Sequence, residues 1–271
     1  MVTDYDLFQI VKQNFIVHSL YLNWMGNSVT ETTLSHPKVQ KLVNSGEKFD
    51  VVIIEQFIND GLKVLAHQFQ APLVLFSTFG SNAWINSLVG NPAPPSYVPE
   101  QHIVFDSSNF LDRLRNSIIH TFGYINRYFL FFPAQNKIVK KYFPDAPDLD
   151  VLLYNASLVL LNSHLSTNMA VPRVPNMVDI GGFHLKPPKT LPQELQKYLD
   201  EAKHGVIYFS MGSGLQSTNL PVEKRNALVR VFSKLKQNVL WKWESDVLPG
   251  QPANVKLGKW LPQQDILGTL S

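Results

Sequence analysis

An octapeptide near the end of the chain carries the residue types with the clearest chemical potential. It reads Trp260-Leu-Pro-Gln-Gln-Asp-Ile-Leu267. An indole, a proline-restricted turn and two adjacent amides suit a loop that stacks on a planar heterocycle and hydrogen-bonds its edge. The same residues also fit an aromatic side chain packed in front of a helix start, and on local chemistry alone this interpretation is the commoner one.

A second segment, upstream of the first, has the order strand, turn and helix. Val206–Phe209 is a short apolar run, and the small residues Ser210–Gly214 follow it as a turn. Pro221 then opens a stretch with apolar residues at helical spacing, which are Leu228, Phe232 and Leu235. Backbone N–H groups in such a turn can bind a phosphate beside a helix N-terminus. The spacing Gly-x-Gly-x-x-Gly is absent, so an ordinary βα corner remains the alternative.

The elements that must position these segments alternate between strands and helices along the chain. The β-rich apolar runs predict strands at Val51–Ile54, Leu73–Phe76, Leu158–Leu161, Val178–Ile180, Val206–Phe209, Val239–Trp243 and Val255–Leu257. Helical spacing is found around Leu7, Ile10, Val11, Val17 and Leu22, in Pro37–Val43, and at Leu62, Leu65, Ala66 and Phe69. Val51–Ile54 is predicted to be buried on both faces of a parallel sheet. The alternation indicates an α/β fold.

A long helical region is predicted from Phe110 towards Tyr142, after a proline-rich loop at Gly90–Pro99. Its apolar face is formed by Phe110, Leu114, Ile118, Ile125 and Phe129. We expect this face to pack in the core, because an apolar stripe of this kind is typical of buried helices. Contact of its aromatic residues with a membrane surface is the alternative.

Composition indicates a globular chain and excludes several classes of site. The 271 residues are 45% hydrophobic and 17% charged, with a net charge of +3. This charge is too small to indicate nucleic-acid binding, and no long basic run is present. The chain has no cysteine, which excludes disulfides, thiolate nucleophiles and cysteine-based zinc sites within it.

The two segments, in this order, resemble the family 1 UDP-glycosyltransferases, which include animal UDP-glucuronosyltransferases and insect UDP-glucosyltransferases. Further matches follow the family's order at Phe49–Glu55, Ala71-Pro72, Pro94–Pro99, Leu161–His164, Val178–Gly182 and Leu185–Pro187. The stretch Ile54–Asp60 is more similar to the insect members. The resemblance covers nearly the whole chain.

The resemblance implies an α/β fold with two Rossmann-like domains, the GT-B architecture, both of them incomplete in this chain. Residues 1–187 would be the acceptor-binding N-terminal domain without its start. Residues 188–271 would be the start of the UDP-sugar-binding C-terminal domain, after a proline-rich linker at 186–192. The chain is therefore expected to be an internal fragment of about half the family length.

The family mechanism implied is an inverting transfer without a metal or cofactor, with UDP-glucose or UDP-glucuronic acid as co-substrate. A histidine removes the acceptor's proton, and a carboxylate orients that histidine. Glu55 matches the carboxylate position, and Asp60 is the alternative. In the donor domain, Gly212, Ser213 and Gly214 match the diphosphate contact, Trp260 the residue that stacks on uracil, and Gln263 the amide that binds uridine.

Two family features have no counterpart in this sequence. The catalytic histidine belongs to a segment upstream of Met1, and a surface or packing role is expected for the chain's eight histidines. After Gly268 the sequence departs from the family pattern, which continues with further phosphate, ribose and sugar contacts. The chain is accordingly expected to be inactive alone and not to form a complete donor pocket.

Location and partners follow from the same resemblance. The first residues lack the pattern of a signal peptide, and no apolar stretch approaches the roughly 20 residues of a membrane helix. The resemblance nevertheless implies that the complete protein lies on the luminal side of the endoplasmic reticulum membrane. A homo- or hetero-oligomer with relatives is one of the arrangements that it allows. Asn155-Ala-Ser157 is a formal glycosylation acceptor, although burial at the start of a strand is an equal alternative.

Two functions of different classes are compatible with these residues. The first is transfer of a hexose, glucose or glucuronic acid, from a UDP-sugar to a small lipophilic acceptor by the complete protein, in detoxification or endogenous metabolism. The second is a truncated, non-catalytic form that binds lipophilic ligands or pairs with a full-length relative.

Overall fold

The computed structural model describes residues 15–100, 105–168 and 171–269. Within them the chain divides into two compact units, 15–184 and 185–269. The sequence places the domain boundary close by, at residue 187. Each unit has its own parallel sheet and its own hydrophobic core, and the two are described separately below as the N-terminal and C-terminal units.

The N-terminal unit contains a four-stranded sheet in the order β1-β2-β3-β4, with every neighbouring pair parallel. Its strands are β1 (Val52–Glu55), β2 (Leu73–Ser77), β3 (Ala156–Leu161) and β4 (Met177–Asp179). Its helices are α1 (Phe15–Ser35), α2 (Pro37–Val43), α3 (Val64–Gln68), α4 (Ala83–Leu88), α5 (Phe110–Asn126), α6 (Phe132–Tyr142) and α7 (Leu149–Leu153). A 3-10 turn at Asp60–Lys63 precedes α3, and a π-helical turn at Arg127–Phe131 joins α5 to α6.

The two central strands carry the core of this unit. Leu75 on β2 and Val159 and Leu161 on β3 have no exposed surface, and they pack with helix residues such as Leu153. The predicted strands are confirmed with shifts of one or two residues, because each apolar β-branched run ends at a polar or turn-forming residue. The predicted loop at Gly90–Pro99 is confirmed as well.

The prediction that the first strand is buried on both faces is wrong. Ile54 is buried, but Ile53 is 62% exposed. β1 lies at the edge of the sheet as described, and the face that carries Ile53, Val74, Leu160 and Val178 is only partly covered by the described residues. The apolar run therefore predicted the position of the strand correctly, but it predicted the burial of one face incorrectly.

The prediction that the apolar face of the long helical region packs in the core is also wrong. All five of its residues are exposed, by 46% to 64%: Phe110, Leu114, Ile118, Ile125 and Phe129. The buried face consists largely of amides. Asn126 and Asn23 of α1 exchange hydrogen bonds of 2.8 and 3.2 Å, while Gln135 bonds to Thr30 and to the Gly61 N–H. These paired amides satisfy each other, so a polar face can be buried at little cost.

The C-terminal unit contains a three-stranded parallel sheet in the order β5-β6-β7. Its strands are β5 (Val206–Phe209), β6 (Asn238–Lys242) and β7 (Val255–Gly258), and its helices are α8 (Gln193–Asp200), α9 (Val222–Phe232) and α10 (Gln263–Thr269). On β6, Val239, Leu240 and Trp241 are fully buried. Trp241 packs with Phe209 and Phe232 on one face, and Leu240 with Ile266 on the other. β6 therefore has the two covered faces expected of a central parallel strand.

Two helix predictions need adjustment. Leu235 lies beyond the end of α9 at Phe232, since the chain leaves the helix through a turn towards β6. Val17 and Leu22 lie in α1, whereas Leu7, Ile10 and Val11 lie outside the described residues. No helix in the described part of the chain is both long enough and apolar enough to cross a bilayer.

Candidate functional site

A pocket of about 360 Å³ lies in the C-terminal unit, at the edge where β5 and β6 end. Ligands of parallel α/β folds bind at this edge, because the loops that leave the strands form a crevice there. The pocket is lined by Tyr208, Ser210, Gly212, Ser213, Lys242, Trp260, Leu261, Pro262, Gln263, Gln264 and Asp265. The structure thus brings the turn after β5 and the Trp260 octapeptide, which are far apart in sequence, into one site.

The indole of Trp260 is available to a ligand. Its residue surface is 77% exposed, so the interpretation of this tryptophan as a packed aromatic is wrong. The octapeptide is anchored instead by Ile266, which is fully buried against Leu240, Leu191 and Leu195. A rigid support beneath an exposed indole gives a planar surface on which a flat heterocycle can stack.

Gln263 is oriented by a neighbouring side chain. The Tyr208 hydroxyl donates to Gln263 Oε1 at 3.2 Å, which leaves the amide NH₂ group of Gln263 free to donate elsewhere. The next two residues fasten the helix start to the preceding segment. Asp265 Oδ1 accepts the Lys189 N–H at 2.8 Å, and the Gln264 side chain donates to the Lys186 carbonyl.

The turn after β5 depends on one glycine conformation. Gly212 has φ of +89°, in the left-handed region that favours glycine, and a Cβ there would meet no atom within 4 Å. Glycine is therefore required at position 212 for its backbone conformation and not for lack of space around a side chain. The Gly212 N–H donates to Ser210 Oγ at 3.2 Å. Helix α9 begins only at Val222, after a 3-10 turn at Ser217–Asn219, so the helix N-terminus does not directly follow the turn.

The pocket also contains a cation that was not predicted from the sequence, Lys242. It is the last residue of β6 and is buried, with Nζ 2.8 Å from Glu244 Oε1 and 6.0 Å from the ring centroid of Trp260. Glu244 Oε2 also accepts the Thr218 N–H at 3.2 Å. Burial raises the pKa of Glu244, but the hydrogen bonds from Lys242 and Thr218 outweigh it and the net pKa lies below its usual value. A buried lysine needs an acidic partner of this kind. A lysine between two tryptophans, followed by a glutamate, is therefore the sequence signal that could have identified Lys242 as a buried cation.

The candidate acid of the N-terminal unit lies at the corresponding edge of its own sheet. Glu55 ends β1 with an exposed side chain, and its Oε1 accepts the Thr78 hydroxyl at 3.2 Å. Asn162, after β3, donates to the Thr78 carbonyl at 3.2 Å. The aromatic rings of Phe57 and Phe79 lie beside this edge with centroids 5.6 Å apart. A carboxylate next to exposed aromatic surface can hold a polar group of an amphipathic ligand.

Asp60, the alternative acid, has a different environment. It is fully buried, with Oδ1 2.6 Å from Lys63 Nζ and 3.1 Å from Gln56 Nε2. Burial lowers the pKa of Lys63, and attraction to Asp60 opposes this effect. An aspartate held in a buried ion pair serves the fold most directly, so Glu55 is the better placed of the two for contact with a histidine.

A smaller cavity of about 80 Å³ lies within the N-terminal unit. Phe57, Trp84 and Phe131 contribute apolar walls, and Glu100 and Arg127 contribute charge. The Arg127 guanidinium lies 5.8 Å from the ring centroid of Trp84. The cavity therefore combines aromatic surface with two opposite charges, which suits a small amphipathic group.

A partly buried histidine lies next to this cavity. His120 Nε2 is 3.8 Å from Glu100 Oε2, beyond hydrogen-bond distance. Burial lowers the pKa of His120, and attraction to Glu100 opposes the effect. The surroundings of His120 therefore favour the neutral imidazole more than water does.

Comparison with solved structures supports the fold class. Spinosyn forosaminyltransferase SpnP matches with a TM-score of 0.51 at 15% sequence identity, over 89% of this chain and 56% of that chain. At this identity the likeness concerns the fold, and the fold is that of the GT-B glycosyltransferases, with α/β units built on parallel sheets.

Sequence comparison then gives the family. The family model described as "UDP-glucoronosyl and UDP-glucosyl transferase" matches residues 7–270. UDP-glycosyltransferase UGT5 of Dactylopius coccus is 37% identical over 84% of this chain and 44% of its own length. UDP-glucosyltransferase 2 of the same organism is 36% identical over 97% of this chain and 50% of its own length. The chain belongs to this family of UDP-sugar glycosyltransferases, and it spans about half the length of the curated relatives it matches.

Proposed function

We propose that the complete protein transfers a hexose from a UDP-sugar to the hydroxyl of a small lipophilic acceptor, with inversion at the anomeric carbon. The observation that carries this proposal is the pocket of the C-terminal unit. An exposed indole, an oriented amide, a glycine-dependent turn and a buried lysine converge there on one crevice. Family membership supports UDP-sugar chemistry in general, and the residues give it a specific form.

Residues in and beside the pocket divide donor binding between them. Trp260 stacks on uracil, and the Gln263 amide, oriented by Tyr208, hydrogen-bonds the uridine. Gly212, Ser213 and Gly214 present backbone and hydroxyl donors to the diphosphate. Lys242 adds a positive charge close to Trp260, where it would neutralise the phosphate charge that grows as UDP leaves.

The N-terminal unit is proposed to hold the acceptor. The Glu55 edge, with the exposed ring of Phe79, offers apolar surface beside a carboxylate. Glu55 would orient a histidine that takes the acceptor's proton as its oxygen attacks the anomeric carbon. The resemblance places that histidine outside these 271 residues, so the chain alone is expected to bind donor without transferring sugar.

Glucose is the proposed sugar, supported by the similarity to UDP-glucosyltransferase 2 of Dactylopius coccus, and glucuronic acid is the alternative. The proposed location is the lumen of the endoplasmic reticulum, at the membrane. The exposed apolar face of α5 and the following turn supports membrane contact, since contiguous apolar surface of this kind marks an interaction site. Ile118→Lys with Phe129→Lys should reduce co-flotation with phospholipid vesicles, and unchanged flotation would contradict the contact.

The proposed function is tested by combining binding and turnover. The 271-residue chain is titrated with UDP-glucose and UDP-glucuronic acid, and then incubated with each donor and a panel of lipophilic phenols. Saturable donor binding without a glycoside product is expected. Absence of donor binding would overturn the donor site, and measurable turnover would overturn the requirement for the histidine.

A further inference from the structure

Asn155 lies in the only Asn-x-Ser/Thr sequence of the chain that can accept an N-linked glycan, Asn155-Ala-Ser157. From sequence alone, burial at the start of a strand was an equal alternative. The structure decides against burial, because Asn155 and Ser157 are both exposed. The two side chains that define the acceptor sequence are therefore accessible in the folded unit.

The local backbone holds the sequence at a defined point on the surface. Asn155 lies between the end of α7 at Leu153 and the start of β3 at Ala156. α7 is anchored by buried Leu149, Leu152 and Leu153. The register with β2 passes from Ala156 to Leu158, which leaves Ser157 at an irregularity of the ladder with its side chain exposed.

The Asn155 amide is also chemically free. Its side chain makes no hydrogen bond with any part of the chain that the structure describes. By contrast, Asn162, at the other end of β3, donates to the Thr78 carbonyl, and Asn126 is paired with Asn23. Replacing one hydrogen on the Asn155 amide with a sugar therefore breaks no hydrogen bond in the part of the chain that the structure describes.

A glycan here would leave the Glu55 edge of the same unit accessible. Asn155 precedes β3 and Asn162 follows it, so the attachment point lies about 20 Å from the Glu55 edge, at the rise of ~3.3 Å per residue of a parallel strand. Next to Asn155, Tyr154 is 59% exposed, and its ring could pack against the apolar face of the first sugar.

We propose that Asn155 is an N-glycosylation site. The proposal rests on the luminal location proposed above, where the co-substrate is an oligosaccharide linked to a lipid through a diphosphate. Asn155 Nδ2 forms a bond to the anomeric carbon of the oligosaccharide as the bond from that carbon to the lipid diphosphate breaks. The amide loses one proton, and the lipid diphosphate is released.

The test is to express the chain behind a cleavable secretion leader in vertebrate cells and to measure its intact mass before and after enzymatic removal of N-glycans in heavy-oxygen water. We expect a loss of one glycan's mass and the appearance of labelled aspartate at position 155. Asn155→Gln and Ser157→Ala should each abolish the glycan, whereas Ser157→Thr should keep it. Asn162→Gln is the matched control, since this exposed asparagine lies outside any acceptor sequence, and it should keep the glycan.

An unmodified Asn155 in the secreted, folded wild-type chain would overturn the proposal, as would glycan mass that persists in both Asn155→Gln and Ser157→Ala. This test does not depend on sugar transfer by this protein, because it measures the mass of the chain itself. A chain that binds UDP but carries no glycan would overturn the glycosylation proposal and not the donor site. A glycosylated chain that does not bind UDP would overturn the donor site and not the glycosylation proposal.

Discussion

Replacement of Lys242 by methionine separates binding of the diphosphate from binding of the nucleoside. The substitution keeps an unbranched apolar side chain and removes the charge that lies 2.8 Å from Glu244 and 6.0 Å from the Trp260 ring. A hydrogen bond to a charged group contributes about 1.5–3 kcal/mol. At about 1.4 kcal/mol per tenfold change, Lys242→Met should weaken UDP binding roughly 10- to 150-fold.

Uridine has no phosphate and should bind the variant with unchanged affinity. Calorimetric titration of wild type and variant with UDP and with uridine gives both constants in one assay. If the ratio of UDP to uridine affinity stays the same in Lys242→Met, the assignment of Lys242 to the diphosphate is wrong.

Folding must be separated from binding in this experiment. Lys242→Met leaves the largely buried Glu244 without its cation, which should cost about 1–3 kcal/mol of unfolding free energy. Addition of Glu244→Gln removes the unpaired charge, keeps a side chain that can accept the Thr218 N–H, and should restore most of the stability. The double variant should still bind UDP weakly, and urea denaturation supplies the stability values.

Three further predictions follow from the structure. Trp260→Ala should weaken uridine and UDP alike, since stacking of a base contributes about 1–3 kcal/mol, and urea denaturation should show little loss of stability because the residue is 77% exposed; unequal losses for the two ligands would contradict a stacking role. Lys63→Met should lower the unfolding free energy by about 3–5 kcal/mol, because it leaves Asp60 buried and unpaired, whereas Asp60→Leu with Lys63→Met should recover most of it; a stable single variant would contradict the buried pair. The unfolded state should take up more protons at His120 than the folded state once the pH falls below about 6.5, because burial lowers the pKa of His120 in the fold. The unfolding free energy should therefore decrease as the pH falls through this range, and it should decrease less steeply in His120→Gln. Urea denaturation from about pH 5 to about pH 8, on either side of the ordinary histidine pKa of about 6.5, measures both slopes. Equal slopes in the wild type and the variant would contradict this origin.

The strands could be predicted from sequence because each is a compact apolar run between residues that end a strand. Val206–Phe209 has the same bounds in sequence and structure, and β6 differs from its prediction by one residue at each end. The parallel α/β fold follows from the alternation of such runs with helical stretches.

The orientation of the long helix could not be predicted in the same way. Periodicity showed that Phe110, Ile118 and Phe129 share a face, but not that this face is exposed. The inward face was decided by the long-range amide pair of Asn23 and Asn126, and such partners are not visible in a local pattern. Burial of Ile53 failed for a related reason, since the covering of a strand depends on elements distant in sequence.

The candidate site was only partly predictable. The resemblance supplied Trp260, Gln263 and the Gly212–Gly214 turn. The structure brings Trp260, Gln263, Gly212 and Ser213 to one pocket, whereas Gly214 does not line it. Lys242 was missed because it ends an apolar strand, and its proximity to Trp260 arises from the parallel arrangement of β6 and β7. The roles of these residues in donor binding remain a prediction.

The central claim is that the pocket of the C-terminal unit recognises a uridine nucleotide. Calorimetric titration of the chain with UDP and with ADP tests it most directly, because the two ligands share a diphosphate and differ in the base. The account predicts one saturable site for UDP, markedly weaker binding of ADP, and loss of this preference in Gln263→Ala. Equal affinity for UDP and ADP, or no UDP binding by the folded chain, would contradict it.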